Sequence, residues 1–242
     1  REAVAGDDLG RPPGLVDGGA QARMLEHMRR RCCPADADDG AGDSPGAPSR
    51  AGPPDDVVFM TYVSPRRVAY VDGAVMLGLA LQRHAPGAFM FALVESAPGP
   101  AYEAVRETLH NAGWGMTLAL PAMHPRNAPT GIHFDGVYTK VLMFNPEVVN
   151  YYIHAIKRSF SRVVYLDADA WVRSPRILEL ARPGVLSPQR PLAAVRDASA
   201  GELPADAPPG TWNSGVMVFR PDKARFSKVF ATMMGATRTT SQ

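Results

Sequence analysis

The stretch Arg162-Val-Val-Tyr-Leu-Asp-Ala-Asp-Ala-Trp-Val172 decides how this chain should fold. Its residues 163–166 are apolar or aromatic and two of them are β-branched, which is typical of a buried strand. Asp167 and Asp169 follow directly, and side chains two apart on a strand point to the same side. The two carboxylates should therefore lie together where the strand ends, which is where ligands bind in an open α/β sheet.

Two neighbouring carboxylates are hard oxygen ligands of the kind that Mg²⁺ and Mn²⁺ prefer, and such ions commonly bridge to phosphates. The pattern predicts a metal-held diphosphate, most simply that of a nucleotide sugar. The alternative is a solvated turn or a helix cap, which is the usual role of an isolated Asp-x-Asp. Apolar character resumes at Trp171 and Val172, and this favours the metal site.

Composition excludes several classes of protein. The chain has 242 residues, enough for one α/β domain with a sizeable core. Its net charge of +2 argues against a nucleic-acid partner, and no apolar stretch reaches membrane-spanning length. Cys32 and Cys33 are adjacent and cannot build a disulfide framework. Because the chain begins at Arg1 rather than at Met, its location stays open between the cytoplasm and the Golgi lumen. The sequence does not determine the oligomeric state.

Two regions differ in composition. Residues 1–55 are rich in Gly, Ala, Pro and Asp, and this bias predicts a disordered segment. Residues 56–242 alternate between strand and helix patterns, which predicts a three-layer α/β domain with a mostly parallel sheet. The predicted strands are 57–62, 89–94, 116–120, 163–166, 192–195 and 215–219, and the predicted helices are 71–84, 101–111, 138–160 (interrupted near Pro146), a short one ending at 181, and 222–234.

Four islands of sequence, taken together, resemble glycosyltransferase family 8 and its glycogenin-like and plant-type branches. The resemblance spans about residues 57–230 and implies a Rossmann-like GT-A fold. It also implies a metal-dependent, retaining transfer of a hexose from a UDP-sugar, with Mn²⁺ or Mg²⁺ as cofactor. The islands are Tyr70 with Gly73-Ala-Val-Met-Leu-Gly-Leu-Ala-Leu81, Tyr138-Thr-Lys140, Tyr165-Leu-Asp-Ala-Asp-Ala-Trp-Val172, and Trp212-Asn-Ser-Gly-Val-Met-Val-Phe-Arg-Pro221.

The resemblance assigns roles on the base and at the reacting sugar. Tyr70 would stack on uracil, since every nucleobase has a π-face, although it could instead only cover the start of a helix. Thr61, near the end of the first strand, would reach the edge of the base. Lys140 would place a compact positive charge near the diphosphate, and Asp197 would contact the sugar of the UDP-sugar. Solvated positions are the alternative for both.

The remaining roles concern the metal, the diphosphate and the sugar hydroxyls. Asp167 and Asp169 would hold the ion, and the nucleotide sugar would lie against them and Ala168. Asn213 and Ser214 would bind sugar hydroxyls, because an amide supplies both a hydrogen-bond donor and an acceptor. The alternative is a turn that leads into a strand.

Two islands that follow in the family, Gly-Asp-Gln and His-x-x-Gly-x-x-Lys-Pro-Trp, do not occur in this chain. The resemblance therefore implies the half of a transferase that binds the UDP-sugar, truncated on its C-terminal side. A domain that binds nucleotide sugar without turnover is an alternative. A sugar nucleotidyltransferase is a weaker one, because residues 64–67 are basic but lack glycine. The sugar and its acceptor, whether carbohydrate, polyol or protein, stay open.

Overall fold

The computed structural model describes residues 53–96, 99–123, 137–196 and 212–234. All of them belong to Asp38–Gln242, the larger of the two units into which the chain divides. The segment predicted to be disordered lies outside the described residues, apart from positions 53–55. Within the described ranges, no helix has the length and apolar character needed to cross a membrane.

A six-stranded sheet forms the centre of the domain, with the strand order β3-β2-β1-β4-β6-β5. The neighbours β1–β2, β2–β3 and β1–β4 are parallel, whereas β6 runs antiparallel to both β4 and β5. The predicted α/β class with a mostly parallel sheet is therefore confirmed. The strands are β1 (Val57–Val63), β2 (Phe89–Glu95), β3 (Met116–Leu120), β4 (Arg162–Leu166), β5 (Leu192–Arg196) and β6 (Trp212–Phe219).

Helices connect the strands, and several of them are shorter or tighter than the sequence predicts. The predicted helical stretch 138–160 is a 3₁₀-helix followed by two single-turn α-helices. The predicted interruption is present at Pro146, which has no backbone N–H to donate to the preceding turn. It starts a new helix, which Asn145 caps. The α-helices are α1 (Val68–His84), α2 (Pro100–Asn111), α3 (Pro146–Val149), α4 (Ile153–Ile156) and α5 (Lys223–Met233), and the 3₁₀-helices are Val137–Phe144, Pro175–Ala181 and Pro183–Val185.

Strand β6 begins three residues earlier than predicted, at Trp212 rather than Gly215. Residues 213–215 are polar or small, but Asn213 pairs with Val195 and Trp212 with Arg196 across the ladder to β5. Pairing with a neighbouring strand overrides a composition that otherwise favours a turn.

The core on one face of the sheet explains why β4 is central. Val163 and Tyr165 of β4 are fully buried, together with Met60 of β1, in a cluster that Met143 and Val149 cover from the connecting helices. Side chains alternate along a strand, so residues 57, 59, 61 and 63 of β1 face the opposite side, where α1 packs. The predicted buried strand at 163–166 is confirmed.

The carboxyl ends of β1 and β4 form the switch point of the sheet. From β1 the chain passes through α1 to β2 on one side, while β4 lies on the other side of β1. The strand order thus reverses between β1 and β4. In open α/β sheets, ligands bind outside the carboxyl ends of the strands at such a switch point. Asp167 is the first residue after β4.

Candidate functional site at the carboxyl end of strand β4

Asp167 is the centre of a polar group that three parts of the fold bring together. The Lys140 Nζ donates to Asp167 Oδ1 over 2.8 Å and to Ser214 Oγ over 3.1 Å. The Asp167 backbone N–H donates to the Gly215 carbonyl over 2.7 Å, so the start of β6 is held beside the end of β4. The structure therefore joins Asp167, Lys140 and Ser214, which the sequence analysis assigned to one site.

Tyr165 is the second hydrogen-bond donor to Asp167. Its hydroxyl donates to Asp167 Oδ1, and the Lys140 Nζ lies 5.3 Å from the centroid of its ring. Burial raises the pKa of the Tyr165 hydroxyl well above its ordinary value, and the negative charge of Asp167 raises it further. Tyr165 therefore remains a protonated donor.

The other oxygen of Asp167 faces the start of β6. A Cβ added to Gly215 would lie 3.2 Å from Asp167 Oδ2 and 2.7 Å from Asn213 Oδ1, so a larger residue would crowd this corner. The Asn213 Oδ1 accepts from the Gly215 N–H over 2.6 Å. The absence of a side chain at Gly215 leaves room beside Oδ2.

Asp169 is exposed, and its negative charge contributes to the raised pKa of Tyr165. Asp167 and Asp169 thus act electrostatically on the same buried hydroxyl. Between them, the Ala168 carbonyl oxygen would lie only 2.5 Å from a Cβ added to Gly73 of α1. Glycine at position 73 therefore lets α1 approach the backbone that joins the two carboxylates.

The carboxylates of Asp167 and Asp169 are the kind of ligand that a hard divalent cation takes when the protein supplies only part of its coordination shell. Carboxylate oxygens suit Mg²⁺ and Mn²⁺, and Mg²⁺ usually takes one or two carboxylates and fills the rest of its shell with water and substrate phosphates. In the described part of the chain, no group of three or more His, Cys, Asp or Glu side chains could hold a metal. Asp167 and Asp169 are the two carboxylates at this end of β4 that such an ion would take.

The sequence analysis also proposed Tyr70, Thr61 and Asp197 as site residues. Tyr70 is in the first turn of α1 rather than before the helix; it is 38% exposed, and the Arg67 guanidinium lies 5.6 Å from its ring centroid. Thr61 is fully buried in β1, and its hydroxyl has no hydrogen-bond partner among the described residues. The described hydrogen bonds and ion pairs connect neither residue to Asp167. Asp197 lies outside the described residues.

Sequence analysis missed the parts played by Tyr165 and Gly73. The signal for Tyr165 was present, because a residue two positions before Asp167 on a strand lies on the same side. Gly73 belongs to a Gly/Ala/Leu-rich helix, and this composition alone predicts close packing without naming the partner. Only the fold identifies that partner as the Ala168 backbone.

Among known proteins, this chain is similar only to solved structures. No family model matches the chain, and no curated protein matches it. It is similar to the apo structure of WbbM, a bifunctional glycosyltransferase, at 16% identity and a TM-score of 0.47, covering 75% of this chain and 34% of that one. The glycosyltransferase GlyE of Streptococcus pneumoniae TIGR4 follows at 14% identity and a TM-score of 0.42, with 76% and 39% covered.

Mouse xyloside xylosyltransferase 1 in its apo form is similar at 13% identity and a TM-score of 0.43, covering 75% of this chain and 72% of that one. These three structures are glycosyltransferases. The chain spans about a third of WbbM and about two fifths of GlyE. The assignment to glycosyltransferase family 8 stays a prediction.

Proposed function

We propose that this chain is the nucleotide-sugar-binding part of a metal-dependent, retaining glycosyltransferase that moves a hexose from a UDP-sugar to an acceptor. The observation that carries the proposal is the position of Asp167 at the switch point of the sheet, with Oδ1 hydrogen-bonded inside the protein and Oδ2 beside Gly215. The resemblance to family 8 supports the retaining stereochemistry and the UDP moiety. The acceptor is a carbohydrate, a polyol or a protein.

Asp167 and Asp169 would hold Mn²⁺ or Mg²⁺ in this proposal. When bound, the ion would supply Lewis-acid chemistry that neutralises the charge on the departing UDP. Lys140 would act beside it: its ammonium carries three N–H donors, of which Asp167 and Ser214 accept two, so one remains for a phosphate oxygen.

Binding of the base and of the sugar would fall to the surrounding residues. Tyr70 would stack on uracil, and the end of β1 near Thr61 would reach the edge of the base, as the resemblance implies. Ser214 and Asn213 are both exposed at the start of β6, where they would bind sugar hydroxyls. The Asn213 Oδ1 already accepts from Gly215, so its amide N–H groups are the ones left for a ligand. Asp197 would contact the sugar as an acidic residue.

A nucleotide-sugar-binding domain without turnover is the second candidate. It is favoured by the small number of metal-binding side chains, since the described residues contain no group of three that could hold an ion. Such a domain would bind UDP with Mn²⁺ but would not break the bond between UDP and the sugar.

Hydrolysis of UDP-sugars separates the two candidates. UDP-glucose, UDP-galactose, UDP-xylose and UDP-glucuronate are each incubated with the chain, with and without Mn²⁺, and free UDP is measured. The transferase proposal predicts Mn²⁺-dependent release from one of them, which the Asp167→Asn, Asp169→Asn variant does not show. Binding of UDP without release from any of the four supports the second candidate, and failure to bind UDP contradicts both.

A further inference from the structure

The two oxygens of the Asp167 carboxylate have different surroundings. Oδ1 accepts hydrogen bonds from both Lys140 and Tyr165. Oδ2 lies beside Gly215, and no hydrogen bond to it is present within the described ranges. A carboxylate held through one oxygen has its plane fixed and keeps its second oxygen for a ligand.

The two residues that hold Oδ1 differ in rigidity. Lys140 has a flexible four-carbon stem, and its ammonium can move among several acceptors. Tyr165 is fully buried in β4, paired with Met60 of β1 on one side and Met217 of β6 on the other. Its ring has no room to turn away, so the backbone of β4 determines where the hydroxyl lies. Tyr165 is therefore the fixed reference point for the carboxylate.

We propose that Tyr165 is a positioning residue, whose hydroxyl holds Oδ1 of Asp167 so that Oδ2 is presented to the divalent cation of the nucleotide sugar. The inference rests on the proposed function, since it takes Asp167 as a metal ligand. Outer-shell partners of this kind orient a ligating carboxylate without touching the metal.

The test is Mn²⁺ binding in the presence of UDP, measured by calorimetry on the unmutated chain and on Tyr165→Phe. The variant keeps the ring and removes only the hydroxyl. We expect Mn²⁺ affinity to fall by about 10- to 100-fold, the usual effect of losing an outer-shell partner, while UDP affinity without Mn²⁺ is unchanged. Tyr152→Phe is the matched control, because the Tyr152 hydroxyl donates to the Thr117 carbonyl over 2.6 Å instead of to Asp167.

Mn²⁺ affinity that is equal in Tyr165→Phe and the unmutated chain would overturn the positioning role while leaving the proposed function intact. An unmutated chain that binds no Mn²⁺ with UDP would overturn both. A double-mutant cycle gives a sharper test. In an Asp167→Asn background, Tyr165→Phe should cause no further loss, because the tyrosine acts through the carboxylate. An equal loss in both backgrounds also contradicts the proposal.

A second measurement does not require the variant to fold. In the unmutated chain, the buried Tyr165 hydroxyl proton should exchange slowly with solvent and be visible by nuclear magnetic resonance. We expect it to stay protected when Mg²⁺ and UDP bind, because the hydrogen bond to Oδ1 persists in the complex. Rapid exchange of this proton in the complex would show that Asp167 leaves the tyrosine on binding, and would overturn the inference.

Discussion

Strand β4 carries an ion pair at each of its ends, and the two pairs are built differently. At the amino end, Arg162 meets Asp56 with Nη2 2.6 Å from Oδ1 and Nε 3.2 Å from Oδ2, while its Nη1 donates to the Ala181 carbonyl over 2.7 Å. At the carboxyl end, Lys140 and Tyr165 both donate to one oxygen of Asp167, and the other oxygen has no such partner among the described residues.

This difference separates a structural site from a binding site on one strand. The guanidinium of Arg162 donates hydrogen bonds to Asp56 and to the Ala181 carbonyl. These bonds join the start of β1, the start of β4 and the 3₁₀-helix Pro175–Ala181. Asp167 keeps acceptor capacity, and the exposed Asp169 follows it. We therefore expect changes at the amino end to affect stability alone, and changes at the carboxyl end to affect ligand binding.

The largest expected effect is at the carboxyl end. Asp167→Asn together with Asp169→Asn should abolish the Mn²⁺-dependent increase in UDP affinity, because neutral amides are much weaker ligands for a hard cation. Calorimetry of UDP binding with and without Mn²⁺ measures it. Glu103→Gln with Glu107→Gln is the matched control, since it removes two exposed carboxylates elsewhere. A double Asn variant that still responds to Mn²⁺ would show that the metal binds at another place.

At the amino end, Asp56→Asn should lower the free energy of unfolding by about 2 kcal/mol, because Arg162 is left buried with one partner fewer. This is less than for a fully buried pair, since the Asp56 side chain is 44% exposed. UDP binding should not change. Urea unfolding gives the stability. Asp55→Asn is the control: Asp55 is 86% exposed in its pair with Arg158, and exposed pairs contribute little. Weaker UDP binding in Asp56→Asn would contradict the separation of the two ends.

The same variant gives a pH test. The hydrogen bond from Arg162 holds the pKa of Asp56 below its ordinary value. A lowered pKa means that the folded state is stabilised above the unfolded-state value and loses this contribution as the pH falls through the folded-state pKa. The stability difference between the unmutated chain and Asp56→Asn should therefore be full at neutral pH and shrink below about pH 4. A stability difference that increases as the pH falls would contradict the lowered pKa of Asp56.

A smaller effect is expected where α1 meets the backbone between the two carboxylates. Gly73→Ala would place a Cβ 2.5 Å from the Ala168 carbonyl oxygen, so either α1 or the Asp-Ala-Asp segment must shift. We expect a loss of about 2 kcal/mol in stability, as for other overpacked sites, and weaker UDP binding with Mn²⁺. Gly115→Ala is the control, because nothing lies within 4 Å of its added Cβ. Equal melting temperatures for the two variants would contradict the close approach.

The smallest expected effect is at Tyr70. Tyr70→Ala should weaken UDP binding by about 1 kcal/mol, the lower end for base–aromatic stacking, because the Arg67 guanidinium already lies over the ring and must share it with the base. Calorimetry with UDP and Mn²⁺ measures this loss. Tyr151→Ala, a change at another exposed tyrosine, should have no effect. An unchanged dissociation constant in Tyr70→Ala would leave the tyrosine only a structural role.

Sequence patterns predicted the centre of the fold well because burial leaves a strong periodic signal. The apolar run into Asp167 predicted a central strand, and β4 ends at Leu166 as expected. The signal was weaker where pairing or a single residue decides the structure. The start of β6 becomes a strand because β5 pairs with it. The predicted interruption near Pro146 is present, but the helices on either side of it are shorter than the pattern suggested.

The candidate site was predicted in part for the same kind of reason. Spacing along one strand placed Asp167, and the Tyr-Thr-Lys island suggested Lys140, but the contact between them joins residues 27 positions apart and depends on the folded connection. No local pattern could reveal that Ser214 orients Lys140 or that Gly73 faces Ala168. Thr61 shows that position in the sequence does not determine exposure. It lies near the end of a strand, where a ligand contact was predicted, but its side chain is completely buried.

Calorimetry of UDP binding to the unmutated chain, with and without Mn²⁺, tests most directly whether the carboxyl end of β4 is a metal and diphosphate site. We predict that Mn²⁺ strengthens UDP binding, and that UDP strengthens Mn²⁺ binding by the same factor, on the order of 5- to 150-fold for a typical coupling between ligands. Equal UDP affinities with and without Mn²⁺ would contradict the proposal and leave Asp167 and Asp169 as the polar end of a strand.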